Sequence, residues 1–451
     1  MMIVLLLGGV VVVVTLLLLS SISSMPLLYS SNTAVLHHHQ HPSSPVVVQQ
    51  QQQPYSMTTA CPLHPPPGYP MEFPILDVLS HVYNNKNDNN HNHHDHPRSD
   101  HRYQSLCIFD VGTTEASKSS SFVQQQIRNY RAAEVPFVVR NDPAVQGAVG
   151  QWRTPGYLAR RTLPSSNDDQ KWYYQATVSN STIFTYYNNN RDTHVIPDSF
   201  RPWTQRVALT YQEWFQYPNI TSSTHSSSSS QFAYLRLDAC WDRNPERCDS
   251  TYGGELPSGT TKTTTTRMIH DADFIYNDLD FFRPGQSLHY DIDATKTRGI
   301  QCRLDRTADL TAEAHFDNEN NYIVMMQGRR RYLLSHPRNC PSLYLYPQRH
   351  PLERHTQVNW RRAHTNDDWK RRFPKFDQTT LTQVILEAGD VLYLPTYWFH
   401  HIISLPLVEN DDDNDTTTEQ LQNIQCNTRS GYSVEYDQII YDCGFLYDFP
   451  D

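Results

Sequence analysis

The chain has 451 residues, a formal net charge of −10 at pH 7 and a charged fraction of 19%. A general nucleic-acid binder needs clustered Lys and Arg on a basic face, so this acidic balance argues against that class. The length suggests two or three domains, but a β-barrel alone can occupy more than about 200 residues. The 27 tyrosines and the 12% aromatic content are enough to fill one large core.

The first 24 residues open with an apolar stretch, from Ile3 to Leu19, that is followed by small polar residues. Its length fits a signal-peptide core or a short membrane anchor, and both imply entry into the secretory pathway. We therefore expect residues 1–24 to be a signal peptide or signal anchor, with the chain secreted or held in the ER or Golgi lumen. A buried N-terminal helix is the alternative.

Sequons and cysteines agree with an oxidising compartment. Asn180, Asn219 and Asn414 each begin an Asn-X-Thr sequon, which predicts a glycoprotein. The eight cysteines permit four disulfides, and Cys240 and Cys248 are the favoured local pair because they bracket a short loop of turn formers. Free buried thiols in a cytosolic protein are the alternative.

Two polar tracts, residues 25–60 and 84–101, are too poor in apolar residues to offset the entropy of folding. We predict that residues 25–103 form a low-complexity, largely disordered linker, in which the less polar segment between the tracts could dock on the folded domain. We predict that residues 104–231 form the N-terminal part of that domain and contain helices, including an amphipathic helix over residues 203–216.

Residues 232–451 predict a barrel. After residue 286 the sequence contains short strand patterns separated by Gly, Pro and Asn: SLHYDIDA, RGIQCRLD, TAEAHFD, NYIVMMQG, RRYLLSH, TQVILEAG, DVLYLP, HHIISLP and NIQCNTRSGYSV. Many short strands with such turn signals are typical of a sandwich or a jelly-roll barrel.

A His-x-Asp pattern occurs three times, at residues 93–95, 289–291 and 315–317. Residues i and i+2 of a strand project from one face, so the pattern brings an imidazole and a carboxylate together. A further histidine from another strand would complete the two-histidine, one-carboxylate triad that binds Fe(II). Each copy alone is more often an ordinary strand feature, but the third is followed by a strand, by three arginines and then by an apolar strand that leads to His400.

Three segments that contain these residues resemble the cupin-like JmjC oxygenases, particularly the group with the asparaginyl hydroxylase that acts on hypoxia-inducible factor: TAEAHFDNENNYIVMMQGRRRYLLSHP, LYLYPQRHPLERHTQVNW and GDVLYLPTYWFHHI. The similarity is strong over about 280–431. It implies an all-β core, a double-stranded β-helix or jelly-roll cupin barrel, with added helices that make the chain α+β overall. It also implies Fe(II) as the metal, 2-oxoglutarate as cosubstrate, and His315, Asp317 and His400 as ligands at the catalytic centre. His401 should face away on its strand.

The resemblance implies a cosubstrate pocket with one departure. Arg330 stands where the family places a lysine against the distal carboxylate of 2-oxoglutarate, and its fork is longer and differently shaped. Asn321 and Asn427 match polar positions of the pocket, Thr311 falls near a pocket threonine, and Arg429 is a second candidate anchor. For each residue an ordinary strand or turn role is the alternative.

The expected function is therefore an Fe(II)- and 2-oxoglutarate-dependent oxygenase that hydroxylates a protein side chain or another C–H substrate in the secretory pathway. A non-catalytic cupin that binds a ligand or partner is one alternative. A JmjC histone demethylase is another, which the acidic charge, the sequons and the apolar N-terminus disfavour. The substrate, a protein side chain, a small molecule or a glycan, is left open, and no nucleic-acid partner is expected.

Overall fold

The computed structural model describes residues 2–7, 10–15, 61–84, 102–112, 116–164, 171–186, 203–217, 231–240, 269–297, 299–346, 350–365, 367–406 and 423–430. The chain divides into two compact units, Met1–Pro54 and Tyr55–Asp451. In the first unit, strands β1 (Met2–Leu7) and β2 (Val10–Thr15) pair as an antiparallel hairpin. Among the residues described, no helix is long and apolar enough to cross a membrane.

The second unit contains both strands and helices. Its strands are β3 (Phe73–Pro74), β4 (Ile108–Asp110), β5 (Phe137–Arg140), β6 (Tyr174–Ser179), β7 (Ile183–Phe184), β8 (Thr204–Leu209), β9 (Phe232–Ala239), β10 (Ile300–Asp305), β11 (Thr311–His315), β12 (Asn321–Gln327), β13 (Arg329–Ser335), β14 (Thr380–Glu387), β15 (Val391–Leu394), β16 (Phe399–Leu405) and β17 (Asn423–Arg429). Its helices are α1 (Ile75–Asn84), α2 (Ala116–Ala132), α3 (Pro143–Trp152), α4 (Tyr157–Arg161), α5 (Tyr211–Phe215), α6 (Phe274–Asp278), α7 (Cys340–Leu343), α8 (Trp360–Ala363) and α9 (Asp368–Arg372).

Two sheets form the body of this unit. The strand orders are β4-β5-β15-β12-β17-β10-β9-β6-β8 and β3-β14-β13-β16-β11-β7. The strands β10 to β17 are divided between the sheets in the alternating order of a jelly roll, with β15, β12, β17 and β10 in one and β14, β13, β16 and β11 in the other. This arrangement confirms the predicted all-β cupin core with added helices.

An apolar cluster lies between the sheets, and two larger clusters cover their outer faces. The inner cluster contains Ile323, Tyr332, Leu334, Trp398 and Ile402, all buried. Helices α2 to α6 pack on the outer face of the larger sheet, while α1 and α7 to α9 pack on the smaller one. Because the strands alternate inward and outward side chains, each inner residue of the barrel has a neighbour that belongs to an outer cluster.

The predicted linker over residues 25–103 needs a correction at residues 61–84, which are ordered. Helix α1 buries Ile75, Val78, Leu79 and Val82 against the smaller sheet. Their i, i+3, i+4, i+7 spacing gives the helix one apolar face, and this face supplies the burial that the flanking polar tracts lack.

Two local predictions were also wrong. Residues 203–216 divide into strand β8, which pairs with β6, and the short helix α5. The helix begins at a capping box in which Thr210 and Glu213 satisfy each other's backbone N–H groups, so the break falls before Tyr211. The pattern SLHYDIDA forms turns instead of a strand, because Ser287 and Asp293 accept hydrogen bonds from backbone N–H groups two residues on.

One disulfide joins two neighbouring strands of the larger sheet. It joins Cys302 of β10 to Cys426 of β17, which are directly paired positions. Cys240 and Cys340 are also disulfide-bonded, whereas Cys61 and Cys107 are free thiols. The predicted partner of Cys240, Cys248, lies outside the described residues.

Candidate metal centre

His315, Asp317 and His400 meet at one end of the barrel interior. His315 ends β11 and lies directly opposite His400 of β16. A bulge between Ala312 and His315 shifts the register, and this shift lets His315 face inward beside His400. Asp317 follows β11, where its carbonyl accepts a hydrogen bond from the backbone N–H of Tyr397 at 2.9 Å. The potential ligand atoms of the three side chains lie within 4.8 Å of one another, and all three residues are buried.

The hydrogen bonds of both histidines leave their Nε2 atoms available to a metal. Nδ1 of His315 is 2.6 Å from the carbonyl oxygen of Glu313, and Nδ1 of His400 is 3.0 Å from that of Trp398. A carbonyl oxygen can only accept, so each Nδ1 carries the proton and each Nε2 presents a lone pair. Burial, together with the neighbouring imidazoles His400 and His355, holds the pKa of His315 well below its usual value, which keeps the ring neutral as a ligand must be.

The carboxylate of Asp317 is kept ionised by two guanidinium groups. Burial opposes its charge, but Arg429 and Arg354 outweigh that effect and hold the pKa of Asp317 well below the usual range. Arg354 donates to Oδ1 at 2.9 Å, and Nη2 of Arg429 lies 3.2 Å from both oxygens. Asn321 donates to Oδ2 at 2.8 Å. These donors fix the orientation of the carboxylate toward the histidines.

The donor set fits Fe(II). Two neutral imidazoles and one carboxylate on one side of an ion leave neighbouring positions open, which is the arrangement of non-haem Fe(II) oxygenases. His400 Nε2 lies 3.9 Å from Asp317 Oδ2, close enough for one ion to contact both atoms after a small movement.

The other His-x-Asp patterns do not form such a centre in the part of the chain that the structure describes. His289 contacts Asp142 at 3.1 Å, whereas Asp291 pairs with Arg131 and its side chain is 70% exposed. The copy at residues 93–95 lies outside the described ranges. The third copy therefore supplies the candidate centre.

The sequence profile of the cupin-like domain matches residues 123–425, about two thirds of the chain. The chain belongs to the cupin-like domain family.

Curated relatives of this cupin match over short stretches. The chain is 35% identical over 98 residues to chicken tRNA wybutosine-synthesizing protein 5, covering 22% of this chain and 28% of the relative. It is 37% identical over 92 residues to rat HSPB1-associated protein 1, covering 20% and 18%, and 26% identical over 100 residues to lysine-specific demethylase JMJ31 of Arabidopsis thaliana, covering 22% and 17%. The chain thus spans less than a third of the length of these relatives. Together they confirm a cupin of the JmjC type, whose members include 2-oxoglutarate-dependent oxygenases.

The polar residues predicted for the cosubstrate pocket divide into two groups. Asn321 and Asn427 lie inside the cupin barrel and form a chain of hydrogen bonds with Asp317: Asn427 donates to Asn321 at 3.1 Å, and Asn321 donates to Asp317. Arg429 lies at the same end but contacts Asp317. The structure does not bring Thr311 into this group, because it pairs with Ile403 on the outward-facing side of the sheet. There it lines a small cavity with His401, which faces outward as expected.

Arg330 faces the barrel interior, but its guanidinium already donates hydrogen bonds to two protein side chains. Its Nη1 donates to Gln425 at 2.7 Å and its Nη2 to Asp305. Burial raises the pKa of Asp305, yet its partners, Arg330, Ser404 and Asn423, all donate to it, as an ionised carboxylate requires. Arg330 and Asp305 therefore form a buried ion pair at the position where the family lysine would stand.

Several site residues escaped the sequence analysis. Arg354 and His355 belong to a segment between the barrel strands, and His355 stacks on His315 with ring centroids 5.1 Å apart. The ring of Tyr186 lies 5.0 Å from that of His315 on another side. The segment LYLYPQRHPLERHTQVNW already carried the family resemblance, and its adjacent Arg and His were the available signal for two of these residues.

We expect the Asp317→Ala protein to lose divalent metal binding and the Asp291→Ala protein to keep it. Removal of a ligand should weaken the affinity for Mn(II) by more than the roughly 10- to 100-fold typical of substitutions at residues that only hydrogen-bond to the ligands. Calorimetric titration of purified protein with Mn(II) measures this difference. Retained metal in the first variant with loss in the second would assign the site to the wrong strand.

The Arg330–Asp305 pair generates a stability prediction. Replacing Arg330 with Met leaves the buried charge of Asp305 without a cationic partner, which should lower the free energy of unfolding by about 3–5 kcal/mol. The double variant Arg330→Met/Asp305→Leu removes both charges and should recover most of that loss. Urea unfolding of the three proteins at pH 7 measures the difference, and an equal loss in both variants would contradict the pairing.

Proposed function

We propose that this cupin is an Fe(II)- and 2-oxoglutarate-dependent oxygenase that hydroxylates a C–H bond of a protein side chain or a small molecule. The observation that carries the proposal is the inward-facing triad of His315, Asp317 and His400, in which both Nε2 atoms are free to coordinate. Membership of a family that includes such oxygenases supports the same chemistry. The acidic net charge of −10 favours a substrate other than nucleic acid.

The triad and the two arginines beside Asp317 each have a definite task in such a reaction. Bound Fe(II), together with 2-oxoglutarate and oxygen, supplies the oxidising power that converts a C–H bond to an alcohol. His315 and His400 hold the ion through Nε2, and Asp317 holds it through a carboxylate that Arg354 and Arg429 keep charged. The buried side chains behind the triad exclude bulk water, which strengthens every electrostatic contact in the pocket.

A non-catalytic binding cupin is the second candidate, and one observation favours it. The ion pair between Arg330 and Asp305 removes the charge with which the family anchors its cosubstrate. If no other group replaced that charge, the barrel would retain a metal site without a cosubstrate site.

Turnover separates the two candidates. We expect the full chain, given Fe(II), 2-oxoglutarate and a peptide digest of a cell lysate, to release succinate. Release should fall to the level without protein in Asp317→Ala, because the ligand is lost, and should persist in Asp291→Ala, whose carboxylate is exposed. Succinate release that is equal in Asp317→Ala and wild type would exclude catalysis at this centre, and no release by wild type would favour the binding protein.

We also propose that the chain enters the secretory pathway, on the strength of the apolar stretch from Ile3 to Leu19 and the sequons. Asn180 is exposed in the turn between β6 and β7, where a glycan could be added without disturbing the core. The sequons at Asn219 and Asn414 lie outside the described residues. We expect glycosidase treatment of the protein expressed in eukaryotic cells to lower its mass, and Asn180→Gln to remove part of that shift. An unchanged mass, with the protein in the cytosolic fraction, would contradict this location.

A further inference from the structure

Three arginines on the inner side of the barrel are linked by strand pairing and by a shared neighbour, Gln425. Arg236 of β9 pairs in register with Arg303 of β10, and Arg303 pairs in register with Gln425 of β17. Gln425 in turn accepts a hydrogen bond from Arg330 of β13. Three guanidinium groups in one interior repel one another and lose hydration, so each needs a compensating anion.

Two of the three arginines have that anion. Arg236 pairs with Asp238 at 2.8 Å, and Arg330 pairs with Asp305. Arg303 has no carboxylate partner among the residues described. Its Nη1 donates to the neutral amide oxygen of Asn427 at 3.2 Å, and its guanidinium lies 5.3 Å from the ring centre of Tyr186.

Arg303 has a hydrogen-bond donor that no protein group satisfies. Its Nε is buried and has no hydrogen-bond partner. The Nε of Arg330 also lacks a partner, but the charge of that residue is neutralised by Asp305. Asp317 favours the charged form of Arg303 from a distance, but no carboxylate among the described residues contacts the guanidinium. Arg303 is therefore the arginine of this group that lacks both a contacting anion and a partner for Nε, which together fit an anionic group from outside the chain.

Arg303 is also placed within reach of the metal centre. It donates to Asn427, which donates to Asn321, which donates to Asp317, so one row of hydrogen bonds runs from the arginine to a metal ligand. The ring of Tyr186 lies near both groups, with its centre 5.3 Å from the guanidinium of Arg303 and 5.0 Å from the ring centre of His315. A ligand that coordinates the metal at one end would approach Arg303 with the other.

We propose that Arg303 holds the distal carboxylate of the 2-oxo acid cosubstrate, and that Arg330 instead serves as half of a structural ion pair. The inference rests on the oxygenase function proposed above and assigns the pocket a different anchoring strand, β10 in place of β13. A guanidinium can grip the carboxylate through two parallel N–H groups, and the low dielectric of the barrel strengthens that contact. The cosubstrate class is then a dicarboxylic 2-oxo acid.

The test measures binding rather than turnover. Calorimetric titration of Mn(II)-loaded protein with 2-oxoglutarate should give an affinity that falls about 10- to 100-fold in Arg303→Gln, the loss expected for a charge-assisted contact. The affinity for 2-oxobutanoate, which has the same keto acid but no distal carboxylate, should be unchanged by the substitution. Mn(II) affinity should also be unchanged, which separates anchoring from damage to the metal centre.

The matched control is the double variant Arg330→Met/Asp305→Leu, which removes the ion pair without changing the net charge. We expect it to bind 2-oxoglutarate within about threefold of wild type, well inside the change predicted for the anchor. Full affinity in Arg303→Gln with a loss in the double variant would overturn the assignment and return the anchor to β13, while the oxygenase proposal would stand. Equal losses of 2-oxoglutarate and 2-oxobutanoate in Arg303→Gln would likewise overturn it, as a general structural effect. Wild-type protein that binds Mn(II) but no 2-oxoglutarate would reject the proposed function itself.

Discussion

The register between β11 and β16 is the constraint on which the candidate site depends. A strand changes face at every residue, so a one-residue slip would turn His400 outward and His401 inward. The bulge after Ala312 brings His315 to the inner face opposite His400, and the turn that follows delivers Asp317 to the same point. No single segment carries the site, because two strands from distant parts of the sequence must pair correctly before the triad exists.

The outer face of β16 helps to hold that register. His401, the neighbour of the ligand, packs against Trp360 with ring centroids 5.3 Å apart, and its Nε2 lies 2.7 Å from the hydroxyl of Tyr83. Burial lowers the pKa of His401 to about 3, so this hydrogen bond joins neutral groups near pH 7. Helix α1, which supplies Tyr83, is therefore coupled to the position of His400 through one strand. The segment before the barrel contributes to the site without contacting it.

Turn signals and strand patterns predicted the barrel, whereas the triad was predicted from the resemblance to the JmjC oxygenases, since the His-x-Asp spacing alone is not specific. Eight of the nine predicted strand patterns became β10 to β17, because short apolar and β-branched runs between turn formers favour strands. The pattern SLHYDIDA failed because its Ser and Asp side chains satisfy the local backbone, which competes with strand pairing. Arg354, and the role that we propose for Arg303, could not be found this way, since they depend on contacts with Asp317 and Tyr186 that only the tertiary fold creates.

The charge balance of the interior is the reason that we do not assign a cosubstrate anchor from a single aligned position. Arg330 occupies the expected place in the sequence, but Asp305, at the end of another strand, determines what its charge does. A buried arginine with a carboxylate beside it has its charge balanced within the barrel, whereas one without a carboxylate creates a demand for an anion. Arg303 of β10 and Arg330 of β13 both face this interior. Either arginine could in principle bind the cosubstrate carboxylate while the other pairs with an aspartate, and the total charge of the pocket would be the same. Which arginine is available to bind the cosubstrate carboxylate therefore depends on which arginines the aspartates already pair with. That pairing can be determined only from the three-dimensional structure.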